Sequence, residues 1–165
     1  MGNEPLEIEK RYLIEYPDIK SLAALSIHTI DISQSYLKGT AQGSSLRVRS
    51  STENGVTTYT KTEKHRLSDL TRIEIEDIIS ESTYHELLKE KDPAYMTITK
   101  TRYCIPFDDL TAEIDILPFT KNFALFEVEL PSEDKTFSIP SFVSIIKDVT
   151  DNRIYTNASL ATILK

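Results

Sequence analysis

Charged residues recur two positions apart on nearly every segment of this chain with strand-like alternation. The sets are Glu7/Glu9/Arg11, Arg47/Arg49, Arg72/Glu74/Glu76, Lys100/Arg102, Glu113/Asp115 and Glu127/Glu129, with Lys61 on a further segment. Alternate side chains of a β-strand project to the same face, so each set gathers on one side of its strand. The intervening residues, among them Ile8, Val48, Ile73, Ile114 and Val128, are largely apolar. The carboxylates Glu7, Glu9, Glu74, Glu76, Glu113, Asp115, Glu127 and Glu129 are hard oxygen ligands, suited to Mg²⁺ or Mn²⁺ with phosphate oxygens completing the shell. Arg47, Arg49, Lys61, Arg72, Lys100 and Arg102 are the cationic half, arginine forking phosphate oxygens and lysine acting as a compact charge.

Two arrangements satisfy this pattern. One is a solvated sheet face carrying cross-strand ion pairs worth roughly 0.2–1 kcal/mol each. The other is a tube with a charged interior, its apolar side covered from outside by helices. Strand by strand the first suffices; the density over the whole chain favours the second, which suits a small, highly charged ligand with metal ions.

The elements that must position these residues are legible in the alternation. Strands are predicted over 6–16, 30–38, 44–52, 56–64, 72–79, 95–106, 110–117 and 123–130. Asn54-Gly55 signals a tight hairpin and Asp108-Asp109 a turn. Asp18 is placed to cap a short helix ending at Leu25, and Ser82 a second ending at Lys89. Pro140 is expected to open a helix with Phe142, Val143, Ile145 and Ile146 on its packing side, and 157–164 to form a last helix. About eight strands with a few short helices make a mainly antiparallel α+β protein, and closing the sheet into a barrel would remove its edges.

With 165 residues the chain is read as one domain spanning 1–165. A formal net charge of -7 argues against a nucleic-acid partner but leaves a small polyphosphate open, since metals and a few focused cations offset acids locally. There is no membrane-length apolar run and no signal-like N-terminus, and Cys104 is the single cysteine, so a cytoplasmic protein without a membrane partner is expected. His28, His65 and His85 lack metal-ligand spacing, and no Gly-rich phosphate loop occurs. Cys104 shares the parity of Lys100 and Arg102 and reads as a structural thiol.

From Glu7-Ile8-Glu9-Lys10-Arg11 onward the chain resembles the CYTH superfamily, the triphosphate tunnel metalloenzymes, whose opening signature is Glu-x-Glu-x-Lys. The resemblance continues in order through Gln34-Ser35-Tyr36-Leu37, Leu46-Arg47-Val48-Arg49, Thr60-Lys61, Arg72-Ile73-Glu74-Ile75-Glu76, Lys100-Thr101-Arg102-Tyr103, Glu113-Ile114-Asp115, Glu127-Val128-Glu129, Val149-Thr150, Tyr155 and Asn157. It is closest to the compact bacterial members. It implies an eight-stranded antiparallel β-barrel, a tunnel with a few short flanking helices, acting on triphosphate-containing small molecules with Mg²⁺ or Mn²⁺ as a monomer or homodimer.

By position, the resemblance implies that Glu7, Glu9 and Glu129 hold one metal and that Glu74, Glu76, Asp115 or Glu127 support a second. Arg11, Arg47, Arg49, Lys61, Arg72, Lys100 and Arg102 would bind phosphate, with Arg11, Tyr36 and Lys100 at the catalytic centre. Two departures stand out. The signature lysine is Arg11 here, a phosphate ligand but a poor base, and Ile154 stands where a basic residue usually precedes the tyrosine, with Arg153 one place earlier. Three activities follow from the resemblance and its departures: hydrolysis of tripolyphosphate or nucleoside triphosphates, adenylyl cyclase chemistry, or binding with hydrolysis weakened or lost. A barrel for an apolar ligand conflicts with a charged interior.

Overall fold

A computed structural model describes residues 5–40, 43–150 and Leu160. In order, the elements are β1 (Leu6–Ile14), α1 (Ile19–Leu25), β2 (His28–Tyr36), β3 (Ser44–Glu53), β4 (Val56–Arg66), β5 (Thr71–Ile79), α2 (Glu81–Leu88), β6 (Ile98–Phe107), β7 (Leu110–Ile116), β8 (Ala124–Glu129) and β9 (Ile145–Asp148). Eight strands form one antiparallel sheet in the order β5-β4-β3-β2-β6-β7-β8-β1, and β5 returns to pair with β1, closing a barrel. The closure joins Leu6, Glu7 and Ile8 to Ile73, Arg72 and Thr71. Farther along the same strand, β9 pairs with Tyr12, Leu13 and Ile14.

The local chemistry of the hairpins is visible in the backbone. Asn54 (φ 52°) and Gly55 (φ 78°) both occupy the left-handed region, as a two-residue primed turn requires. The turn pairs Glu53 with Val56 and thereby fixes the register of β3 against β4. Asp108 at φ 48° makes the corresponding turn between β6 and β7.

Two expectations are corrected. The second helix is capped by Ser80, not Ser82: Ser80 Oγ accepts a hydrogen bond from the Thr83 amide at 3.1 Å. Strand β5 ends at Ile79, leaving Ser80 extended at the boundary and Ser82 inside the first turn. The segment opened by Pro140 is not a helix; it turns at 141–142 and continues as β9. Its β-branched Ile145 and Ile146 enter a strand because the C-terminal edge of β1, left unpaired by the short β5 contact, is available for a ladder. Of the expected last helix only Leu160 is described, and it is helical and buried.

Apolar side chains lie on the outside of the barrel wall, as the tube reading requires. Tyr12, Tyr103, Ile105, Ile114, Phe126 and Val128 form the largest cluster, packed with Leu22 of α1 and with Phe137, Phe142 and Val143. Val48 and Leu37 pack with Tyr84 of α2. A third cluster, Tyr36, Ile98, Leu117, Leu125 and Leu160, with Leu13 alongside, joins inward-facing residues at one end of the bore. No helix among the described residues is long and apolar enough to cross a membrane.

Candidate functional site in the barrel interior

Strand register alone places the charged residues together. Around the wall, Glu9 stands opposite Glu129 and Arg11 opposite Glu127. Glu127 is in turn opposite Glu113, Asp115 opposite Arg102, Gln34 opposite Arg49 and Tyr36 opposite Arg47. Lys64 faces Glu74 and Thr62 faces Glu76. Paired residues share a face, so one inner surface carries nearly all of them.

At the centre lies a dense ion-pair network. Asp115, fully buried, accepts from Arg102 Nε at 2.7 Å, from Arg102 Nη2 at 2.8 Å and from Lys100 Nζ at 2.7 Å. Arg102 Nη1 also reaches Glu113 at 2.6 Å, and Arg11 forms an ion pair with Glu127. Burial opposes ionisation of both acids, but their cationic neighbours win. Asp115 lies well below the usual carboxylate range, and Arg11 and Arg102 bring Glu127 down to about 2. Burial holds Lys100 below the ordinary lysine range, against the pull of Asp115.

Beside this network, Arg47 and Arg49 are differently placed. Arg49 donates to Gln34 Oε1 at 2.9 Å, and Gln34 donates to the Tyr36 hydroxyl at 3.2 Å. Burial, then Arg47 and Arg102, lower Arg49 to about 9. The Nε–H groups of Arg47 and Arg49 are buried without an acceptor. Arg47 is 6% exposed and makes no ion pair among the described residues. A buried cation without a counter-ion is costly unless an anion joins it.

Toward the N-terminal end of β1 the balance reverses. Burial and then Glu127 raise Glu9 to about 7; burial and then Glu113, Glu7 and Glu9 raise Glu129 to about 7. Glu7 and Glu113 are also pushed up, chiefly by burial. The cations facing these acids are Lys64, whose Nζ lies 2.8 Å from Glu7 Oε2 and 3.6 Å from Glu74 Oε2, and Arg72, 3.6 Å from Glu9. The Lys64 approach is off the ideal hydrogen-bond direction, so the buried Glu7 Oε2 is held by charge rather than by a well-directed hydrogen bond. Hard carboxylate oxygens, mutual repulsion and an acceptor with no well-directed donor fit a divalent cation. As they stand, no three acidic, histidine or cysteine side chains among the described residues converge closely enough to hold one.

The structure thus gathers Glu7, Glu9, Arg11, Tyr36, Arg47, Arg49, Arg72, Glu74, Lys100, Arg102, Asp115, Glu127 and Glu129 on one surface. Glu76, exposed toward the far end of β5, accepts from Thr62 at 3.1 Å. Asp115 and Glu127, expected among the metal ligands, are engaged as counter-ions to Lys100, Arg102 and Arg11. Lys61 departs from expectation: it stands opposite Val48, whose side chain packs outside against Tyr84, so Lys61 is on the outer wall. The inward lysine of β4 is Lys64, which the charge spacing missed. Its parity was available in the sequence, since a two-residue turn at Asn54-Gly55 sets Thr62 opposite Arg47 and Thr60 opposite Arg49. Gln34, the link from Arg49 to Tyr36, carried no charge to signal it. Cys104 lies opposite Glu113 on the inner surface, its thiol raised to about 11 by burial and then by Glu113. Arg153, Ile154, Tyr155 and Asn157 lie outside the described residues.

Comparison with known proteins agrees with this geometry. The inorganic triphosphatase NE1496 is similar over 98% of this chain and 96% of its own, with 26% identity and a TM-score of 0.58. PH1819 from Pyrococcus horikoshii OT3 shares 20% identity over 78% of this chain and 80% of its own, with a TM-score of 0.61. HpAC1 from Hippeastrum, a proposed adenylyl cyclase described as having a dominant triphosphatase activity, shares 17% identity over 77% of this chain and 80% of its own, with a TM-score of 0.52. A search of curated proteins finds no match. The family model of the CYTH domain matches residues 5–145, and a closed barrel with its acids and bases turned inward agrees with it: the chain belongs to the CYTH domain family.

Proposed function

We propose that this protein hydrolyses the phosphoanhydride bond of triphosphate-containing small molecules, inorganic tripolyphosphate or nucleoside triphosphates, with Mg²⁺ or Mn²⁺. The observation that carries the reading is the pair of inner-surface arginines, Arg47 and Arg49, whose Nε–H donors are buried without acceptors. An anion with several oxygens is the ligand that satisfies both. The similarity to the inorganic triphosphatase NE1496 supports the same class.

In this reading Arg47 and Arg49 bind oxygens of the phosphoryl group under attack. Arg102, fixed by its fork on Asp115, presents charge that need not reorganise as the transition state develops. Arg72 and Arg11 add positive charge along β1 and β5. Glu7, Glu9 and Glu129 would hold the divalent cation, with Glu74 in support. When bound, that cation would neutralise phosphate charge and lower the pKa of a water. Arg11, raised further by Glu127 despite its burial, remains protonated and acts as a fixed charge. Lys100 Nζ is the cation most easily deprotonated, and we assign it the proton of the attacking water, with Tyr36 orienting that water through its hydroxyl. The reading carries with it a cytoplasmic monomer or homodimer.

Phosphate release from tripolyphosphate, ATP, GTP and thiamine triphosphate, each with Mg²⁺, Mn²⁺ or EDTA, tests the proposal. Metal-dependent release from at least one is expected. Cyclic AMP and pyrophosphate from ATP would establish a cyclase instead. Tight tripolyphosphate binding without turnover would establish a binding module, the outcome that Arg11 in place of lysine favours.

A further inference from the structure

The acidic end of the bore already contains a cation. Lys64 reaches across the barrel closure from β4, 2.8 Å from Glu7 on β1 and 3.6 Å from Glu74 on β5. Its side chain is 17% exposed, and those of Glu7 and Glu74 are 10% and 21% exposed. Its charge also acts on Glu9 and Glu129. These are the carboxylates available for a divalent ion, because Asp115 and Glu127 are committed to Lys100, Arg102 and Arg11. The ammonium contacts both Glu7 and Glu74, in the place a shared cation would take. It supplies only one positive charge, and its 2.8 Å contact with Glu7 Oε2 is not a well-directed hydrogen bond.

We propose that Lys64 is a tethered competitor for the metal site, holding the place of a divalent cation among Glu7, Glu9, Glu74 and Glu129 until the ion displaces it. The inference rests on the metal-dependent reading above. It assigns Lys64 a role in setting metal affinity, and the displaced ammonium is then free to meet an incoming phosphate. A purely structural staple across the β1–β5 closure makes the opposite prediction, since removing a staple loosens the carboxylates and weakens metal binding.

The test is Mn²⁺ binding to the full chain without substrate, by calorimetry or by loss of the free-ion electron paramagnetic resonance signal. Lys64→Met is expected to bind Mn²⁺ at least about tenfold more tightly than the parent protein at pH 7.5, and Lys64→Arg to stay within about threefold. Equal or weaker binding by Lys64→Met, with measurable binding by the parent, would overturn the role of Lys64 while leaving the metal reading intact. No binding by any of the three proteins would overturn both. Should Lys64→Met not fold, reductive methylation of the parent protein, read by mass spectrometry, serves instead. Saturating Mg²⁺ should accelerate modification of Lys64 several-fold relative to EDTA, and an unchanged or slower rate would sink the proposal.

Discussion

Arg11 sits where three inner strands bring opposite charges together, paired with Glu127 and under the influence of Glu9 and Asp115. A guanidinium there is a permanent charge, whereas a lysine at the same buried position can lose its proton near neutrality. Arg11→Lys is therefore expected to raise kcat for the preferred triphosphate several-fold, with a new acidic limb in its pH profile because the lysine must lose its proton to act, while KM changes less. A fall in kcat would show that the Arg11–Glu127 ion pair is the arrangement turnover requires. At this scale most inward residues could be read from i, i+2 spacing, because strand geometry converts spacing directly into facing. Partner choice could not. Whether Asp115 meets a metal or an arginine depends on which strand lies beside β7, a long-range fact that Glu113-Ile114-Asp115 does not contain.

Among the elements, the strands were the most legible, because alternation persists through the whole length of each. Their ends and the helix boundaries were less so. Ser80 and Ser82 both look like caps, and only the stopping point of β5 decides between them. Ser80→Ala should cost about 1 kcal/mol, the usual worth of an N-cap hydrogen bond, whereas Ser82→Ala should lie within about 0.5 kcal/mol of the parent, both by urea unfolding. Equal losses would place the cap elsewhere. Strand β9 was misread for a different reason. Phe142, Val143, Ile145 and Ile146 have helix-like spacing, but Phe142 and Val143 are used against the outer core and Ile145 begins a ladder. The same four residues serve two packing partners in succession, which periodicity alone cannot separate. Lys61 and Lys64 make the complementary point, since the turn at Asn54-Gly55 carries more information about facing than the charge of either lysine.

Over the whole molecule, the charged bore makes stability depend on pH in a defined direction. Glu9 and Glu129, raised to about 7, hold protons in the folded state that the unfolded chain has released above the ordinary carboxyl range. Their effect on stability is therefore absent at the acidic side, grows unfavourable from about pH 4.5 to 7 and is complete above that. Glu127, lowered to about 2, acts oppositely, its contribution being fully present above the ordinary carboxyl range and lost as pH falls toward about 2. The metal-free protein is expected to melt at lower temperature at pH 8 than at pH 5. Glu9→Gln should raise Tm at pH 8 by several degrees, since burial and then Glu127 disfavour the charged form of this carboxyl, while abolishing metal-dependent turnover. Melts followed by circular dichroism in EDTA, with phosphate release assayed in parallel, check both. An unchanged Tm would mean that Glu9 is not strained by its neighbours, and unchanged turnover would remove it from the metal site.

The barrel is closed by three residue pairs between β1 and β5, against ten between β3 and β4. Two further backbone hydrogen bonds flank that seam, from the Glu9 amide to Leu70 O at 3.1 Å and from the Glu74 amide to Pro5 O at 2.8 Å. Ion pairs lace it as well, Arg72 to Glu9 directly and Lys64 to Glu7 across β5, so the clasp that closes the wall is built from the same charges that line the bore.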